Sequence, residues 1–165
     1  MGVIGGLIYL AYAASSYLSG MASDYLMRNG ASATVVRKGA MGVRSVIVFA
    51  SMLAVAFGDA STSIVALFCA GIAFGMATPT IFAIAQTLAG PIAAGKWVGV
   101  QNSVANTAGI VAPMLTGFVI DQSGGQFGPA FLIAAIVQAV GFFGWTAIIG
   151  HVAPVTWRRS ANAQI

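Results

Sequence analysis

No glutamate occurs anywhere in this sequence, and aspartate occurs only three times. Charged residues of all kinds fill 6% of the 165 positions, against about 25% in soluble domains. A water-soluble fold of this size cannot cover its surface with three Asp and seven Lys or Arg. A single cysteine, Cys69, excludes an internal disulfide and reads as small core filler in an apolar run. A single histidine, His151, offers no metal cluster and reads as an interfacial polar residue. There is no phosphate-cradling Gly-rich loop, no metal-ligand spacing and no Ser/His/Asp set. An enzyme has no footing here, and neither a cofactor nor a metal is expected. Residues 1–6 lack the positive n-region of a secretory signal, so the first apolar stretch reads as a retained helix.

What the sequence has is apolar length. Hydrophobic residues make up 59% of it, and windows of membrane length fall at residues 3–19, 43–57, 63–88, 98–120 and 129–151. The expectation is an all-α membrane protein, one partial transmembrane bundle over residues 1–165 with five transmembrane helices. The formal charge of +4 does not point to nucleic acid, because the basic residues sit at the ends of apolar segments.

The charges also orient the chain. The connection at 20–44 holds Asp24, Arg28, Arg37, Lys38 and Arg44. The next three hold Asp59, then Lys96, then Asp121, and the tail at 152–165 holds Arg158 and Arg159. Basic and acidic connections alternate, which puts the 20–44 loop, Lys96 and the C-terminus in the cytoplasm. An odd number of spans then starts the chain outside, as at the end of a longer protein or in a five-span protein oriented by its first basic loop.

Within the spans, Gly71 and Gly75 form a G-x-x-x-G of the kind that lets helices approach closely in lipid. Pro79 and Pro113 are expected to kink their helices. Asn102 and Asn106 lie four apart on one helix face, flanked by Gln101 and Thr107. Amides facing lipid are costly, so this face is expected to turn towards protein or a wet cavity. Thr78, Phe82 and Gln86 follow at i, i+4 and i+8 and form a second stripe suited to a polyhydroxylated ligand. Interhelical hydrogen bonding is the plainer use of the amides, and a bond back to its own helix is the plainer use of Thr78. No ionisable residue is expected at mid-depth of any span, so the groups of a proton relay are not expected in this chain.

The run Gly20-Met-Ala-Ser-Asp24-Tyr-Leu-Met-Arg28-Asn-Gly30, with Arg37-Lys38 after it, resembles the cytoplasmic signature loop of the major facilitator superfamily. The run Gly99-Val-Gln-Asn-Ser-Val-Ala-Asn-Thr-Ala-Gly-Ile-Val-Ala-Pro-Met-Leu-Thr-Gly117 is similar to the eleventh helix of its anion:cation symporter branch. That branch includes bacterial sugar-acid carriers, some carboxylate carriers and animal organic-anion carriers. It departs from the branch pattern at Ala105, where Gly is common, and at Ser103, where an aromatic is common.

The resemblance implies helices eight to twelve of a twelve-helix fold, with the N-terminal half absent from this chain. It implies a secondary active symporter, proton-coupled, that moves an organic anion such as a sugar acid across a bacterial inner membrane by alternating access. Asn102 and Asn106 then belong to the substrate site with Gln101, Thr78, Phe82 and Gln86. Gly20, Asp24, Arg28, Arg37 and Lys38 serve conformational locking, and the cationic anchor for the carboxylate is expected in the absent half. The competing readings are a small five-span membrane scaffold or subunit, and a non-functional transporter remnant.

Overall fold

The computed structural model describes residues 2–155. Four helices account for nearly all of them: α1 (Gly2–Arg28), α2 (Ala33–Phe57), α3 (Ala60–Gln122) and α4 (Gly128–Ala147). No strand occurs among the described residues. All four helices are long and apolar enough to cross a membrane, and the chain is an integral membrane protein. Arg158 and Arg159, assigned to the tail from sequence, lie outside the described residues.

The expected count of five separate helices is not matched. The stretches at 63–88 and 98–120 both fall within α3, which runs for 63 residues. A straight helix of that length would measure roughly 94 Å, about three hydrocarbon thicknesses. It is not straight: Gly90 takes φ 68° and ψ 175°, a conformation a side chain would resist. Pro91 follows, its fixed φ suited to restarting a helix. The backbone dihedrals stay helical at Pro79 and Pro113, and the break falls at the glycine.

Neighbours show which way the chain leaves Gly90. Trp97 and Gln101 share a cavity with Ile81, Ile84 and Leu88. Ala112 and Thr116 share another with Arg44, and Arg44 lies over the Phe74 ring. Residues near the break on either side share one cavity, and residues far from it on either side lie about the same Arg44. The arms, 60–89 and 91–122, run antiparallel.

The connection expected at 20–44 is mostly helix. Only residues 29–32 separate α1 from α2. Gly30, at φ 92°, ends α1, with Ala31 N donating to Leu26 O and Gly30 N to Met27 O. This is the two-bond glycine C-cap. Ser32 then caps α2, its hydroxyl accepting from Val35 N at 3.3 Å. The same glycine cap closes α3 at Gly124 and Gly125.

Two apolar clusters form the core. Val48 and Met52 of α2 meet Ala70 and Ala73 of α3 and Ala135 of α4. Met41, Ala77, Ile84 and Val152 form the second, nearer Gly90. α1 buries nothing fully and joins α3 by close backbone approach. A Cβ at Gly71 would come within 2.7 Å of Ile8 Cγ2, and one at Gly75 would collide with Ser15 Oγ and the Tyr12 carbonyl. The G-x-x-x-G is thus an interhelical contact. Ser15 Oγ donates to Ile72 O at 2.9 Å and Ser19 Oγ to Met76 O at 3.1 Å. Cys69, read from sequence as core filler, is exposed.

Candidate functional site

Packing places the sequence-derived residues in three groups. At the end of the bundle where α1 stops and α2 starts, Gly20, Asp24 and Arg37 line a cavity of about 170 Å³ with Pro79 and Thr80 of α3. Gly20, Asp24 and Arg28 recur every four residues along the end of α1, on one face. Arg37 Nη1 donates to Thr87 Oγ1 at 2.6 Å and to Ala83 O at 3.3 Å, tying α2 to the first arm of α3. Lys38 Nζ donates to Ile149 O at 2.5 Å and Thr146 O at 3.4 Å, so its charge meets carbonyls at the end of α4. Beyond α4 the chain crosses this end as a strap. Val152 N donates to Thr34 Oγ1 and Val155 N to Leu88 O. Arg28 is exposed.

The second group is the hydroxyl and amide set. Thr78 is half-buried and its hydroxyl lies 2.6 Å from the Tyr12 hydroxyl of α1. Phe82 and Gln86 are exposed on the same arm. On the other arm Gln101 is half-buried and lines a cavity with Trp97, Trp145 and Ile84. Asn102 and Asn106 are exposed, and Asn106 Nδ2 donates to Asn102 O at 2.8 Å within the helix. The fold does not gather these six into one pocket. Gln101 and Ile84 line one cavity, and Arg44 lies over Phe74 and beside Ala112 in another, so 102–106 stand at the level of 80–84. The amides and Phe82 therefore share one depth, the amides on an arm whose residues 102–118 are exposed on every face.

The third group was not foreseen. Arg44, assigned from sequence to a loop, is the twelfth of the 25 residues of α2. It lies roughly 16 Å from Ala33 and roughly 20 Å from Phe57 along the axis. Arg44 therefore stands within a helix long and apolar enough to cross a membrane, and not in the connection to which the sequence assigned it. Its guanidinium carbon lies 4.9 Å from the Phe74 ring centroid, and its buried Nε has no hydrogen-bond partner. It opens on a cavity of about 410 Å³ between α2, the second arm of α3 and α4, where Thr116, Gln138 and Trp145 also stand. Gln138 Nε2 is held by Ser45 Oγ at 3.2 Å. The sequence signal lay in register: Gly39 to Phe57 is apolar apart from Arg44 and two serines, with no proline to stop α2 beginning early.

Comparison with known proteins gives one informative relation. The chain is 32% identical over 144 residues to the hexuronate transporter of Bacillus subtilis (strain 168), covering 82% of the chain. That alignment takes in 32% of the relative, so the chain spans about a third of the length of the protein it matches. No family model matches the chain, and no solved structure matches it.

Proposed function

We propose that this chain supplies the C-terminal helices of a secondary active carrier for organic anions, with sugar acids of the hexuronate kind as the first candidates. The observation that carries it is a pair of amides, Asn102 and Asn106, one turn apart in an apolar helix at the depth of Phe82 and outside the core. Exposed amides in the middle of an apolar helix are expensive against lipid and well matched to the hydroxyls and carboxylate of a sugar acid. The likeness to a hexuronate transporter supports the same reading.

In this reading the two arms of α3 each cross the bilayer, the Arg37 end faces the cytoplasm, and another bundle covers the amide face. Transport proceeds by alternating access between the two bundles. Arg37 and Lys38, which hold α3 and α4 to α2, keep this bundle moving as a unit. Proton coupling belongs to the proposal, with its titrating carboxylates elsewhere in the carrier. Among the described residues Asp24 and Asp121 stand close to helix ends and Asp59 lies between helices.

Asn102→Ala in the intact carrier tests this. The KM for labelled D-glucuronate uptake into proteoliposomes should rise about five- to tenfold, the worth of one hydrogen bond, with membrane insertion unchanged. Wild-type kinetics in that variant would remove Asn102 from the site.

A further inference from the structure

We infer that the Tyr12 and Thr78 hydroxyls form a subsite for a hydroxyl group of the carried anion, so that the carrier selects hydroxylated acids over plain carboxylates. This deepens the reading above and rests on it. Tyr12 is the eleventh of the 27 residues of α1, roughly 15 Å from Gly2 along the axis. Tyrosines of membrane helices collect at the two interfaces, and one this far inside needs a partner for its hydroxyl. Its oxygen lies 2.6 Å from Thr78 Oγ1. Thr78 in turn donates to Phe74 O at 3.1 Å, within its own helix. A threonine hydroxyl has one proton, so the proton in the Tyr12–Thr78 bond is the phenol's. Both oxygens then keep lone pairs, and neither has a proton to spare. A carboxylate, which only accepts, finds no donor there, whereas a hydroxyl can give its proton to either oxygen. The pair therefore serves the hydroxylated end of a ligand whose carboxylate is anchored elsewhere.

Tyr12 and Thr78 are both half-buried. At about 100° per residue, Thr78 falls between two strips of the first arm of α3. One strip, at Gly71 and Gly75, meets α1. The other, at Ile81, Ala85 and Leu88, shares a cavity with the second arm. Thr78 thus stands at the floor of a cleft between α1 and the arm that carries Asn102 and Asn106. It lies two residues, roughly 3 Å, from the 80–84 level of those amides. Tyr9 and Ser16, one turn to either side of Tyr12, extend the hydroxyls along one face of α1. This helix is the least apolar of the four and buries no residue fully. A hydroxyl-bearing face suits a wet cleft better than acyl chains.

The subsite is read by equilibrium binding of tritiated D-glucuronate to the intact carrier in phosphatidylcholine nanodiscs, with monodeoxy analogues as competitors. Tyr12→Phe keeps the ring and removes the hydroxyl. It should weaken glucuronate binding about five- to tenfold, the worth of one neutral hydrogen bond. One monodeoxy analogue should bind the wild type more weakly than glucuronate by the same factor and lose nothing further in Tyr12→Phe, because its partner hydroxyl is already gone. The other analogues should weaken in the variant as glucuronate does. Thr78→Val, which removes the acceptor that orients the phenol, should spare the same analogue.

Equal weakening of glucuronate and every monodeoxy analogue, in either variant, reduces the pair to a tie between α1 and α3 and overturns the subsite. Wild-type glucuronate affinity in either variant overturns it as well, and an impaired Asn102→Ala then leaves the proposed function standing. No glucuronate binding by the wild type overturns both.

Discussion

Single residues set the helix ends, and the clearest is Asp59. Its carboxylate accepts from Thr62 N at 2.9 Å and caps α3. The hydrogen bonds from the Thr62 side chain and backbone hold the carboxyl below its usual range. A depressed folded pKa means the cap contributes above the carboxyl's unfolded pKa and is lost as pH falls through the lower folded value. The protection factors of the Thr62 and Ser63 amides, taken relative to the intrinsic exchange rate at each pH, should therefore fall in acid. Asp59→Ala should show the low protection already at neutral pH, while Asp59→Asn, which can also cap, should keep the protection and lose its acid dependence. Asp59 was legible as a connection residue because it ends an apolar run. Arg44 was not. Charge is normally read as a loop marker, and only packing reveals that Phe74 and an internal cavity accommodate it.

Helices carry the next level of information. The Gly71/Gly75 spacing was readable, and its partner α1 was not, because small residues say that something approaches without saying what. Gly75→Ala should force α1 from α3 and destabilise the detergent-solubilised protein by about 1–3 kcal/mol, the usual cost of overpacking. Gly109 faces open space, so Gly109→Ala should instead gain up to about 1 kcal/mol of helix propensity. Thermal unfolding of the two variants side by side checks both signs. The amphipathic logic that finds helices also failed to find where α1 and α2 extend, since Asp24, Arg28, Arg37 and Lys38 sit on helical turns. Polar composition resembles a loop whether the backbone is coiled or not. The break at Gly90 was hidden for the opposite reason: Ala89-Gly90-Pro91 is a short apolar punctuation, outweighed by the prolines further inside each arm.

At the scale of the whole molecule, Arg37, Lys38 and Lys96 collect at one end and Asp59 and Asp121 at the other. The alternation of charges along the sequence anticipated that separation, because topogenic charge reports the whole path even where span limits are misjudged. What it could not supply is which face of each arm is covered, since that depends on neighbours outside the alternation. In a Cys69→Ser background, Asp59→Cys and Gly125→Cys should react with an impermeant maleimide on intact cells. Lys96→Cys should react only after permeabilisation. Labelling of positions 59 and 96 from the same side would show that α3 does not cross twice.

Lys38 illustrates how such a molecule must be made. Its acceptor at Ile149 lies 111 residues further along the chain. At roughly 5–20 residues per second, the ribosome needs about 6 to 22 seconds to produce it. Throughout that interval the ammonium must be hydrated or lie against anionic headgroups. Only when the last helix arrives does it exchange those temporary companions for backbone carbonyls, making this contact among the latest to form during biogenesis.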